Sequence, residues 1–291
     1  MRLAAASLLA FLAFPALAGD LEEGLKAYKA RQYAAALAPL TAAASAGSVQ
    51  AQTVLGWMYL HGEGMKRDPA RALVWLRKAA AKGDVGAQYN LALLLGAGNG
   101  VTQDLKGALS WFRKAATKGH AGAQYSLGLM YARGWGTQRD GKQAASWYQK
   151  AAAQGNVEAQ LALGMLLQEG DLQPRDLAAA AYWYRKAATQ DNAVAQTNLA
   201  NLYASGQGVA RDLQEALGWY RKAAAHGNAG AQFNLGMLYS TGMGVPVDYV
   251  EGYRWLSAAE SHGIAQAANL RTFVETRLSP EQLTQARSRA N

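Results

Sequence analysis

The 291-residue chain contains no cysteine and only four histidines, His61, His120, His226 and His262. Disulfides are excluded, so the fold must draw its stability from packing. His226 and His262 stand one 36-residue period apart. That is about a helix-pair width, too far for two ligands of one zinc at bonds of about 2 Å. No metal and no cofactor are expected. The chain also lacks H-E-x-x-H, the Walker A pattern, G-x-S-x-G and S-x-x-K. These are the spacings that place a zinc base, a phosphate cradle or a serine nucleophile. Gly62-Glu63-Gly64, Gly98-Asn99-Gly100 and Gly206-Gln207-Gly208 are glycine-rich, but no strand precedes them, so they read as turns rather than phosphate-binding loops. No catalytic residue is expected.

Long apolar runs are equally scarce. Beyond Ala18 no stretch suits a bilayer span, which takes about 20 apolar residues, so no transmembrane segment is expected. One apolar run, Leu3 to Phe14, follows Arg2 and precedes the small-x-small triplet Ala16-Leu17-Ala18. It is too short for an anchor and reads as a secretory signal peptide, residues 1–18, cut after Ala18. No cysteine follows it, which excludes a lipid-modified N-terminus of the bacterial lipoprotein type. A periplasmic or secreted protein is expected, and a monomer.

Lys and Arg outnumber Asp and Glu by 29 to 20, a formal charge of +9. That balance suggests nucleic acid or an anionic surface. Yet the cations recur as pairs, Arg77-Lys78, Arg113-Lys114, Arg185-Lys186 and Arg221-Lys222, with Gln149-Lys150 as a variant. Each pair falls near the end of an expected helix, where cations suit the negative end of the helix dipole. A solvated structural stripe is the expected role. Binding of an anionic envelope polymer, a polysaccharide or cell-wall component, is the alternative, and export argues against nucleic acid.

What the chain has in quantity is repetition. Trp75, Trp111, Trp147, Trp183, Trp219 and Trp255 stand 36 positions apart, and Ala51-Gln52, Ala87-Gln88, Ala123-Gln124, Ala159-Gln160, Ala195-Gln196 and Ala231-Gln232 keep the same step. A period of this length means one supersecondary unit stacked many times. Within a unit, apolar residues at helical spacing mark a first helix, as in His120 to about Ala132. Glycines then break it, and Asp68, Asp104, Asp140, Asp176, Asp212 or Asp248 opens a second helix by accepting its orphan amides. Gly47, Gly83, Gly119, Gly155, Gly227 and Gly263 end the second helices. Asp191-Asn192 stands in once, as residue types that tolerate the left-handed conformation. Small residues recur inside the first helix at Gly56, Ala92, Gly128, Gly164, Ala200 and Gly236, which marks close helix–helix approach. The 36-step tryptophans read as core. Residues 20–47 form an atypical opening pair with a shortened loop, in which Pro39 takes the tryptophan position. Ser279-Pro280-Glu281 opens a last polar helix over 279–291 that shields the final apolar face.

The runs A-Q-x-x-L-G-x-x-Y, G-x-G-V-x-x-D and A-x-x-W-Y-R-K-A-A-x-x-G resemble the Sel-1-like repeat family, a relative of the tetratricopeptide repeat. Ala123 to Tyr131 and Ala231 to Tyr239 are close matches, and the resemblance covers about residues 47–265. It implies an all-α, right-handed superhelical solenoid of antiparallel helix pairs, about seven pairs over residues 19–278. It also implies a non-catalytic adaptor. Cysteine-rich secreted members of the family are described as β-lactamases, but this chain has neither their cysteines nor S-x-x-K, so β-lactam binding or hydrolysis is the weakest alternative. Leu172 departs from the pattern where a second loop glycine is usual. It would resist positive φ, so that loop is expected to differ in shape.

By the same resemblance the first helices line a concave groove that takes a protein or peptide partner. Two rows should face it. Thr53, Tyr89, Tyr125, Leu161, Thr197 and Phe233 form one, and Trp57, Leu93, Leu129, Met165, Asn201 and Met237 the other. The candidate contacts are Trp57, Tyr89, Tyr125, Trp135, Thr197, Asn201 and Phe233. Packing between neighbouring helices is the competing role for Tyr89, Tyr125 and Phe233. Trp57 and Trp135 lie outside the 36-step series, and Trp135 sits in an interhelix loop, where binding determinants of solenoids gather.

Overall fold

The computed structural model describes residues 8–172 and 174–290, of which residues 8–18 and 290 are described by backbone alone. The whole of the expected signal segment, residues 1–18, therefore lies outside the described side chains, and Met1–Ser7 outside the described residues altogether. The described residues form 16 helices and no strand. The chain divides into two compact units, Met1–Trp147 and Tyr148–Asn291.

The first unit holds α1 (Leu8–Lys29), α2 (Tyr33–Ser45), α3 (Val49–His61), α4 (Pro69–Ala81), α5 (Val85–Ala97), α6 (Leu105–Thr117) and α7 (Ala121–Arg133). It also holds the start of α8 (Gly141–Ala153), within which the division falls. Helices pack as antiparallel pairs, α1 on α2, α3 on α4 and α5 on α6, and each pair packs on the next. The opening pair is legible in its side chains: Leu21, Leu25 and Tyr28 of α1 lie against the core around Leu40 and Leu55. Its link is only three residues long, and Arg31 makes the turn at φ 59°.

The second unit holds the rest of α8, then α9 (Val157–Glu169), α10 (Leu177–Ala188), α11 (Ala193–Ser205), α12 (Leu213–Ala225), α13 (Ala229–Thr241), α14 (Tyr249–Ser261), α15 (Ala265–Glu275) and α16 (Pro280–Ala290). The pairs are α9 on α10, α11 on α12 and α13 on α14. α16 packs on α14, and Leu283 and Ala286 close the core of Tyr253, Leu256 and Val274. Ser279 caps it: its hydroxyl accepts the Gln282 amide at 3.2 Å, and its own amide donates to the Gln282 side chain at 2.9 Å. That reciprocal pair is a capping box.

The six aspartates cap the second helices as expected. Asp68, for example, accepts the Arg71 amide at 2.9 Å. A second capping series starts the first helices: Ser48, Asp84, His120, Asn156, Asn192 and Asn228 each accept the amide three residues on. The sequence reading did not single out this series, because its residue type changes from repeat to repeat while its role does not. The repeated glutamine is buried in every unit. Its Nε2 donates to the carbonyl of Ala44, Ala80 and Ala116 in the first unit, at 2.9–3.1 Å. In the second unit it donates to Ala152, Ala188 and Ala224, at 3.1–3.3 Å. Each bond ties a first helix to the end of the preceding second helix.

Asp191 takes φ 61°, the left-handed turn its position requires. The loop at Leu172 has one left-handed residue, Gly170, where its counterparts have two glycines with positive φ; Gln173 is not among the described residues. The 36-step tryptophans are corrected. All six are half-buried, and the residue after each one, Leu76, Phe112, Tyr148, Tyr184, Tyr220 and Leu256, is the core side chain.

The small positions do mark close approach. A Cβ on Gly236 would meet Leu256 Cγ at 2.6 Å, and one on Gly56 would meet Leu76 Cγ at 2.8 Å. Gly218 of α12 has nothing within 4 Å of where a Cβ would stand. The two sites should respond oppositely to alanine, although helix propensity favours alanine by about 1 kcal/mol at both. Gly236→Ala is expected to lower stability by about 1–3 kcal/mol through overpacking, and Gly218→Ala to raise it by about 0.5–1 kcal/mol. Urea unfolding of the two variants checks this; stabilisation by both would show that the α13–α14 contact yields freely.

Candidate functional site

The two rows of the first helices separate in the structure. In the first unit, Tyr89 and Tyr125 are half-buried between helices. The Tyr89 ring lies 4.4 Å from the His120 ring and 5.9 Å from Phe112. In the second unit Phe233 packs against the core around Tyr253 and Leu256. Thr197 is corrected: it is only 8% exposed, and its hydroxyl donates to the Ala193 carbonyl at 2.8 Å, so it presents nothing to a partner. The reason is its place one turn into α11, where the hydroxyl folds back onto its own helix.

The second row faces out. Trp57 is half-buried, with its ring tilted against that of His61 at 3.9 Å between centres. Leu93 is 41% exposed and Met165 40%. Asn201 is exposed, and its Oδ1 accepts the Tyr220 hydroxyl at 2.5 Å and the Asn234 amide at 3.2 Å. Leu93 and Met165 were not among the expected contacts, although their row was; their side chains are the most open of its apolar members. Trp135 is 47% exposed at the tip of its loop, as its position between Gly134 and Gly136 suggests. Met243 is exposed at the same loop position in the second unit.

On the second helices the basic pairs have specific partners. Lys78, Lys114 and Lys222 hold their ammonium groups 4.4, 3.8 and 4.4 Å from the centres of the Trp75, Trp111 and Trp219 rings. Arg113 and Arg221 donate to the hydroxyls of Tyr131 and Tyr239 at 2.7 and 2.6 Å. The half-exposed tryptophan is therefore the seat of its lysine, a cation–π contact worth about 0.5–1 kcal/mol at an exposed site.

Burial pushes the Tyr220 hydroxyl up to about 12, and burial raises Tyr184 as well, so both are neutral donors at physiological pH. The aspartates of the loops are occupied by helix amides. Among the described residues, no group of three or more His, Asp or Glu is placed to hold a metal, and no helix is long and apolar enough to cross a membrane.

Residues 49–84, 85–120, 121–156, 157–192, 193–228 and 229–264 each match the Sel1 repeat. The chain belongs to the Sel1-repeat family. Its fold is that of two solved Sel1-type proteins. A protective antigen of uropathogenic Escherichia coli with an SLR fold shares 32% identity at a TM-score of 0.83, over 94% of this chain and 60% of the antigen. A Sel1 repeat protein from Oxalobacter formigenes shares 32% identity at a TM-score of 0.70, over 82% of this chain and 96% of that one. The chain thus spans less than two thirds of the antigen's length. No curated protein matches it. Sel1 repeats build all-α solenoid scaffolds that are commonly protein-binding and typically non-catalytic.

His120 gives this scaffold one titratable joint. It caps α7 by accepting the Ala123 amide on Nδ1 at 3.0 Å, and protonation converts that nitrogen to a donor. Burial holds its pKa below the ordinary histidine value of 6.5. The unfolded chain therefore binds the proton more tightly, and the cap's contribution is complete above about pH 6.5 and lost as pH falls below it. Urea midpoints between about pH 7 and 5 should drop more steeply in the native chain than in His120→Asn, by a cap's worth of about 1 kcal/mol. Asparagine already caps α9, α11 and α13. Parallel pH profiles would remove His120 from the cap.

Proposed function

We propose that this Sel1-repeat protein is an exported, non-catalytic adaptor that holds a protein or peptide partner on its first-helix face. The observation that carries the reading is the outward row of the first unit, where Trp57 is half-exposed and Leu93 exposed above a core already closed by other residues; Met165 is exposed at the same place in the second unit. Exposed aromatic and methionine side chains on rigid helices suit a partner helix or extended peptide. Trp135 extends the apolar surface of the first unit to the loop edge. Export rests on the Leu3–Ala18 segment. Among the described side chains, Leu21 is the first of α1 against the core.

The test immobilises the exported chain and captures partners from envelope extract. A protein held at about 0.5 M salt, where exposed charge pairs are screened, and lost from a Trp57→Ala, Leu93→Ala variant supports the adaptor reading. Equal capture by both forms refutes the face. The mature chain recovered from the periplasm should begin at Gly19 by mass; an intact N-terminus there refutes the signal peptide.

A further inference from the structure

The excess positive charge belongs entirely to one unit. Residues 1–147 carry 17 Lys and Arg against 8 Asp and Glu, whereas residues 148–291 carry 12 of each. In the first unit four of the eight acids are occupied by helix amides. Asp68, Asp104 and Asp140 cap second helices and Asp84 caps α5. Three cations stand together at the end of each of two second helices, away from the caps: Arg77, Lys78 and Lys82 at the end of α4, and Arg113, Lys114 and Lys118 at the end of α6. All six are exposed. Among the described residues none of them has a carboxylate within ion-pair distance. Four of them have neutral partners: Lys82 and Lys118 donate to the carbonyls of Gly47 and Gly83 at 2.8 and 2.7 Å, and Lys78 and Lys114 lie over half-exposed tryptophan rings.

Each of these two second helices thus presents the same set, a flat indole edge beside three unneutralised cations, repeated one period along the chain. We propose that this second-helix surface of the first unit binds a linear carboxylated polysaccharide. A polymer with one carboxylate per sugar supplies charge at regular intervals, matching cation clusters that recur with the repeat. The apolar face of a pyranose ring suits a half-exposed indole. An acidic globular protein would need its charges arranged to the same repeat, and a duplex nucleic acid offers no exposed ring face. The surface lies on α4 and α6, apart from the first-helix row of α3 and α5, so it stands independently of the peptide reading.

Oligogalacturonate is the probe, titrated into the full chain by calorimetry at low and raised salt. Two variants carry the test: Arg77→Gln, Lys78→Gln, Arg113→Gln, Lys114→Gln in the first unit, and Arg185→Gln, Lys186→Gln, Arg221→Gln, Lys222→Gln in the second. The native chain is expected to bind with an affinity that falls steeply with salt. The first variant should weaken binding roughly tenfold or more and the second less than about threefold, because only the first unit has an unbalanced field. Circular dichroism checks folding, and Lys82→Gln with Lys118→Gln, which leaves the lysine–tryptophan contacts in place, serves if the quadruple variant unfolds. Absence of binding, equal loss in the two quadruple variants, equal binding of neutral dextran, or tighter binding of duplex DNA or anionic vesicles than of oligogalacturonate would each overturn the proposal.

Discussion

Everything in this protein hangs on how one helix pair is joined to the next, and the joint has a polar centre. A repeat of this size buries too little surface to stand alone, so stability resides in its interfaces. Those interfaces are lined mainly by alanine and leucine, which pack closely but specify register weakly. The buried glutamine supplies what they lack. Near the end of each second helix one carbonyl accepts the amide of the closing glycine, or of Asp191, and takes a second hydrogen bond from the glutamine amide of the following first helix, at a fixed distance along that helix. A slip by one residue would bury that amide without a partner, a penalty of about 1–3 kcal/mol. The bond adds little net energy to the correct stack and much to the cost of an incorrect one.

Close approach within each pair follows from a second constraint. Gly56, Gly164 and Gly236 sit where the facing Leu76, Tyr184 and Leu256 would collide with a Cβ. Ala92 and Ala200 occupy the same place opposite Phe112 and Tyr220 and are fully buried. The partner's shape, rather than its size alone, decides whether the extra methyl is tolerated, since the two tyrosines face a glycine in one pair and an alanine in the other. Tyr184 and Tyr220 also bring their hydroxyls out to Gln168 and Asn201, so an aromatic in the core ends in a satisfied hydrogen bond.

How far the sequence led depended on whether a role was tied to one residue type. The aspartate caps, the left-handed Asp191, the glycine contacts and the closing helix at Ser279 were legible, because few residues perform those tasks. The first-helix caps were not, since serine, aspartate, histidine and asparagine share the work. The tryptophans misled for a related reason. Their period was correct, but a ring that recurs every 36 residues reads as core. Here it lies at the rim, half covered by a lysine that periodicity placed in a solvated stripe. For the candidate site, the second row was expected to face a groove, but its most open apolar members were not among the expected contacts. Exposure of Leu93 and Met165 is set by neighbouring helices, and a single helix cannot reveal it. Thr197 failed in the opposite direction: it is buried, and its hydroxyl is taken by its own helix.

The contrast between constrained and unconstrained positions carries a functional argument of its own. Six repeats of one chain share the glutamine, the aspartate cap and the tryptophan with its neighbour in the core. Over the same six repeats the outward row runs Trp, Leu, Leu, Met, Asn, Met. The positions are structurally equivalent, so stacking does not dictate these differences. Charge varies with the same freedom. The second unit carries acids on its helices, such as Glu158, Glu215, Glu251 and Glu260, where the first unit has none at the matching sites of its full repeats. A scaffold whose joints are fixed by buried glutamine leaves its faces independent of its fold. One unit can then acquire an unbalanced positive surface, and the other a neutral one, at no cost to the stacking of either.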